Sequence, residues 1–170
     1  MIKVVVTGSE STGKTELARR LGAQFSAPVS TEFVRGYAST KRDALGFADH
    51  GPIAHGQMAA EDAAVRRANN LVILDTDLVS TVIYCEHYFG KCPAWIIEAA
   101  RARGGHMYLV LEPDVPWIPD GVRDRGDRRE VMHELFVEKL REFGLPFVAI
   151  GGSWDERFIR AVSVIQQLLD

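Results

Sequence analysis

The chain has 170 residues, 46% hydrophobic and 25% charged, an ordinary balance for one soluble globular domain. Its net charge of -3 argues against a general nucleic-acid binder, and no apolar run approaches membrane-spanning length. Cys85 and Cys92 are expected as free thiols in a reducing cytoplasm, since nothing resembles a signal peptide.

Residues 2–6 are a largely β-branched run suited to a buried parallel strand. Gly8-Ser9-Glu10-Ser11-Thr12-Gly13-Lys14-Thr15 follows, the G-x-x-x-x-G-K-[ST] phosphate loop set between strand and helix. Gly8 and Gly13 permit the tight fold by which successive N–H groups, through Ser11 and Thr12, point at a phosphate. Lys14 is placed to reach the β- and γ-phosphates and Thr15 to join a magnesium shell. Binding of a nucleoside triphosphate, ATP with Mg2+, is the expectation.

Leu17, Leu21 and Phe25 then mark one helical stripe, and a short strand over 28–31 delivers Glu32 and Arg35. Residues 41–55, rich in Gly, Asp and His, read as an irregular loop, and alanine-rich 57–68 as a helix. The next buried strand, 71–74, ends in Asp75-Thr76-Asp77, and helices are expected over 78–88 and 94–103. A fourth strand at 108–111 leads into a proline-rich loop and a charged segment. Met132, Leu135, Phe136, Leu140 and Phe143 form a helical face, 146–150 a fifth strand, and Phe158, Val162, Ile165 and Leu169 a closing helix. The alternation predicts one domain over 1–170. It is an α/β, three-layer P-loop fold with five parallel strands, helices on both faces and ligands at the strands' carboxyl ends.

Asp75 stands where a hydrophobic strand stops, suited to holding magnesium beside Thr15, whereas Asp77 suits a helix N-cap better. Glu32 should face the same rim and accept a hydroxyl proton during phosphoryl transfer, with Arg35 beside it if a helix begins there. Asp77 is the alternative base. The run 120–129 carries Arg123, Arg125, Arg128 and Arg129, and is expected to form an arginine-rich lid, around 120–130, over the triphosphate. Tyr88 and Trp117 stack on a ring or merely pack. His50 and His55 lack the companions of a metal site.

These pieces resemble the ribosylnicotinamide kinase domain of bacterial NAD-biosynthesis proteins, among the nucleoside-kinase-like P-loop ATPases. The similarity runs through Gly8 to Thr15, Glu32-Phe33-Val34-Arg35, Asp75-Thr76-Asp77, Tyr88-Phe89-Gly90-Lys91 and Trp117-Ile118-Pro119-Asp120-Gly121-Val122-Arg123. It implies phosphorylation of the 5′-hydroxyl of nicotinamide riboside by ATP. Members carry a Trp just before the matching Glu, where this chain has Thr31, which implies a base less covered on one face. No adenylyltransferase segment with a His-x-Gly-His motif and no DNA-binding segment precedes the loop, so the kinase alone is expected. Other readings are a kinase for a different nucleoside, or an accessory P-loop ATPase or nucleotide switch without a small-molecule acceptor. Guanine-type switching is disfavoured because no Asn-Lys-x-Asp sequence occurs, and an AAA-type motor is disfavoured by size.

Overall fold

The computed structural model describes residues 1–116 and 128–170. Trp117, Arg123, Arg125 and most of the expected lid lie outside the described residues. Strand β1 (Ile2–Gly8) leads to helix α1 (Lys14–Phe25), β2 (Val29–Ser30) and α2 (Phe33–Thr40). After a 3-10 turn come α3 (His50–Arg67), β3 (Leu71–Asp75), α4 (Leu78–Phe89) and α5 (Ala94–Arg103). Strand β4 (Met107–Leu111), α6 (Arg129–Glu142), β5 (Phe147–Ile150) and α7 (Trp154–Leu169) close the chain.

The five strands pair in parallel in the order β2-β3-β1-β4-β5, as expected for an α/β P-loop fold. Alternation along β1 divides the core into two layers. Val4 and Val6 pack with Leu17 and Leu21 of α1 and Ala161 and Ile165 of α7. Val5 faces the other way, with Val79 and Val82 of α4, Ile96 of α5 and Phe136 of α6. Register sets the functional rim: Val6 lies opposite Asp75 and Gly8 opposite Leu111, so the loop after β1 emerges beside the end of β3.

One expected element is corrected. Residues 41–55 are not irregular throughout, because a 3-10 turn spans Phe47–Asp49 and α3 starts at His50. Pro52 lies in the first turn, where its missing N–H costs nothing. Gly51 and Gly56 lower the local helix propensity and hid this start. Asp49 secures the entry by accepting from Tyr37 Oη at 2.8 Å, from the Gly46 amide at 2.7 Å and from Lys41. The Lys41 ammonium first, then these other donors, hold Asp49 down at about 2.

A polar network interrupts the apolar layer beneath α4. Tyr108 Oη donates to Asp77 Oδ2 at 2.5 Å, and Arg103 Nη2 donates to Glu61 Oε2 at 3.3 Å and to Asp62 Oδ1 at 2.5 Å. Burial, with the Asp77 charge behind it, pushes Glu61 up to about 7 against the pull of Arg103. Burial likewise pushes Asp77 up to about 6, opposed by the Tyr108 hydrogen bond. Elsewhere, Cys85 and Cys92 are free thiols, and burial pushes Cys92 up to about 12.

A Cβ on Gly56 would stand 2.2 Å from the Phe33 ring, so Gly56→Ala forces that ring or the two helices to shift. Overpacking costs about 1–3 kcal/mol, against about 1 kcal/mol gained in helix propensity, so urea unfolding should show a net loss of stability. The raised carboxyls act through pH. Between their ordinary values and about 6 to 7 the native state binds more protons than the unfolded one, so their stabilising contribution is lost as pH rises through that window. Glu61→Gln should therefore flatten the decline in urea midpoint from about pH 5 to about pH 8. An equal decline in the variant would contradict the assignment.

Candidate active site

The phosphate loop wraps the start of α1. Gly13 occupies left-handed space at φ 86°, and Ser11 also has a positive φ, 53°. Such backbone turns successive N–H groups inward, where the helix N-terminus adds its own donors. Thr12 Oγ1 donates to the Ser9 carbonyl at 2.8 Å, and Lys14 Nζ folds back to the same oxygen at 2.7 Å. Sequence reasoning passed over Glu10. It is 2% exposed and its Oε2 accepts from Tyr84 Oη at 3.1 Å, tying the loop to α4.

Thr15 and Asp75 meet. Thr15 Oγ1 donates to Asp75 Oδ2 at 2.7 Å, while Asp75 Oδ1 is buried and has no hydrogen-bond partner among the described residues. Burial raises the Asp75 pKa, the Thr15 bond opposes it, and the nearby Glu32 charge adds to the rise. An orphaned carboxylate oxygen beside a threonine hydroxyl fits a hard divalent cation, which would supply the missing partner.

Thr76 separates the two aspartates. Its φ of 63° is rare for a β-branched residue and costs on the order of 1–3 kcal/mol. The turn is held by its amide donating to Val6 O at 3.0 Å and by Gln57 Nε2 donating to its carbonyl at 3.3 Å. It leaves Asp75 at the phosphate loop and sends Asp77 beneath α4, where Asp77 Oδ1 caps the helix by accepting from the Val79 amide at 3.1 Å.

A pocket of about 430 Å3 opens beside this turn. Glu32, Thr76, Asp77 and Gln57 give it a polar side; Tyr84, Tyr88, Phe89 and His50 give it an aromatic one. Glu32 is the residue before α2, and its side chain is only 4% exposed. Arg35 lies one helical turn on, with Nε 3.6 Å from Glu32 Oε2. The Tyr88 and Tyr84 rings are nearly parallel, 6.2 Å apart. His50 sits edge-on to Phe89, and His55 stacks on Trp95. Gln57, read from sequence only as a helix start, also accepts from the Phe33 amide at 3.0 Å and so fixes the entry of α2 behind Glu32.

Of the arginine run, Arg128 is exposed at the start of α6. Arg129 is buried, donating to Val115 O at 2.6 Å and to Ser11 O of the phosphate loop at 3.4 Å. Arg157 of α7, which sequence reading passed over, reaches the same loop from the other side. No motif signals such contacts, because they join residues more than 100 positions apart.

Residues 3–157 match the family model described as AAA domain. The chain is 31% identical over 174 residues to the trifunctional NAD biosynthesis/regulator protein NadR of Escherichia coli K12, and 30% identical over 173 residues to that of Salmonella typhimurium LT2. Each match covers 98% of this chain and 42% of the relative, so the chain spans less than half the length of these proteins. The crystal structure of NadR protein in complex with NR superimposes with a TM-score of 0.81 at 30% identity, covering 98% of this chain and 51% of that one. Thymidylate kinase from Ehrlichia chaffeensis, 13% identical and covering 98% of both chains, shares the fold at a TM-score of 0.68. A family model matched across residues 3–157 shows that the chain belongs to the AAA domain family.

Proposed function

We propose that this chain is an ATP-dependent nucleoside kinase that phosphorylates the 5′-hydroxyl of nicotinamide riboside. The observation that carries the reading is the pocket bounded by Glu32, Asp77 and Tyr88, which opens at Thr76, next to the Asp75 that binds Thr15 of the phosphate loop. A donor anion and a flat, hydroxylated acceptor can thus occupy adjoining spaces. The similarity to NadR, one structure of which holds NR, supports the same acceptor here.

In this reading the Gly8 to Thr15 loop binds the triphosphate of ATP, with Lys14 leaving the Ser9 carbonyl for the phosphates. Thr15 and Asp75 would hold Mg2+, which when bound offsets charge on the phosphates. The acceptor oxygen forms a bond to the γ-phosphorus, the bond from that phosphorus to the bridging oxygen breaks, and ADP leaves. Glu32 takes the hydroxyl proton. Asp77 suits that task less, because both of its oxygens already accept hydrogen bonds, from Tyr108 and Val79. Asp77 instead shapes the pocket floor, and Arg35 steadies Glu32. Tyr88 provides an aromatic face for the base. Arg123, Arg125 and Arg128 are proposed to neutralise the transferring phosphoryl group, and Trp117 to join Tyr88 in binding the base. The reaction is placed in the cytoplasm, with neither nucleic acid nor membrane as partner.

Thr31, exposed beside Glu32, leaves room for a second reading in which other nucleosides are also accepted. A coupled assay should show ATP turnover stimulated by nicotinamide riboside more than by uridine, cytidine or thymidine. Glu32→Gln keeps the shape but removes the charge, and should lower kcat by about 10²- to 10⁴-fold. Stimulation by a different nucleoside would transfer the reading to that acceptor. Turnover indifferent to every nucleoside would leave an accessory ATPase in its place.

A further inference from the structure

Arg157 is among the largest fully buried side chains of the described residues, at 1% exposure, yet it lies outside the phosphate-loop motif and the acceptor pocket. A buried guanidinium is costly unless its donors are met. Here they are met by three separate chain segments. Nε donates to Gly152 O at 2.9 Å, Nη2 to Glu112 O at 2.8 Å and to the Asp114 carboxylate, and Nη1 to Thr12 O at 3.0 Å. The first two carbonyls follow β5 and β4; the third belongs to the phosphate loop.

That third contact has a chemical consequence. The Thr12 carbonyl and the Gly13 N–H are the two ends of one planar peptide group. A loop whose N–H groups converge on an anion turns carbonyls the other way, and Arg157 receives this one with a charged donor. Such a bond polarises the peptide and strengthens its N–H as a donor. The same side of the loop is closed by Trp154. A Cβ on Gly13 would stand 2.4 Å from its ring, which in turn lies 5.5 Å from the Arg157 guanidinium.

We propose that Arg157 is a positioning residue for the phosphoryl donor: through the Thr12 carbonyl it fixes and polarises the Gly13 peptide that faces the phosphate. The inference rests on the phosphate loop as the nucleotide site and is independent of which acceptor is phosphorylated. Its role is distinct from that of Lys14, which supplies charge directly to the phosphates.

The test compares wild type, Arg157→Lys and Ser153→Ala, each confirmed folded by its Tm. Ser153→Ala removes the capping bond to the Glu156 amide at the start of α7, and so is a nearby destabilising control that spares every Arg157 contact. Lysine keeps the charge but cannot span Thr12, Glu112 and Gly152 at once. Calorimetric titration with AMP-PNP and magnesium should show Kd raised about tenfold in Arg157→Lys, because the Gly13 N–H would then meet the phosphates less firmly held and less polarised. It should be nearly unchanged in Ser153→Ala. The Gly13 amide proton of the nucleotide-free protein should move upfield in Arg157→Lys only. Where an acceptor is turned over, the KM for ATP should rise while that for the acceptor stays. An unchanged Kd or Gly13 resonance in Arg157→Lys, or equal weakening in both variants, would overturn the proposal. Failure of every nucleoside in the kinase assay would leave these binding measurements intact.

Discussion

The hydrogen bond from Thr15 to Asp75 joins the two ends of the site, and it depends on strand register. Pairing of Val6 with Asp75 brings the end of β3 level with the residues that enter the phosphate loop. A slip in that pairing would part the hydroxyl from the carboxylate and displace the turn at Thr76. The alternation of β1 between two apolar layers opposes such a slip, because it would drive Val5 into the layer of Val4 and Val6. Core packing therefore specifies the geometry in which a triphosphate and its cation would be received.

The turn at Thr76 extends this geometry to the adjoining pocket. One strained residue directs Asp75 to the loop and Asp77 into the body, where Tyr108 and the α4 N-terminus receive it. The pocket floor consequently contains a carboxylate whose pKa is raised by burial, while Glu32 stays at the rim beside a half-exposed arginine. Two acidic groups close in space thus have different surroundings, which is the basis for assigning them different tasks. Tyr84 joins the two halves, lining the pocket while bonding Glu10 of the phosphate loop.

Much of this was legible in the chain because its signals are local. The phosphate loop, the β-branched strands and Asp75-Thr76-Asp77 declare themselves within a few residues, and with them the parallel fold. The start of α3 was not legible, since Gly51, Pro52 and Gly56 weaken helix propensity, and only contact with Phe33 explains Gly56. Gln57, Glu10 and Arg157 were missed for another reason. The partners that tie them to the site lie 19 to 145 positions away, and no spacing rule relates a buried side chain to a group so distant in sequence. Glu32 and Arg35 fall between these cases: the strand end announced them, whereas the burial of Glu32 and its separation from Arg35 required the fold.

On the proposed function, the donor and acceptor spaces serve one transfer reaction. Phosphorus NMR of a mixture of the protein, ATP, magnesium and nicotinamide riboside tests it most directly. A phosphomonoester resonance coupled to the 5′-methylene protons of the riboside should appear in step with ADP. Release of inorganic phosphate with the riboside unaltered, or a phosphate on a different hydroxyl, would contradict it.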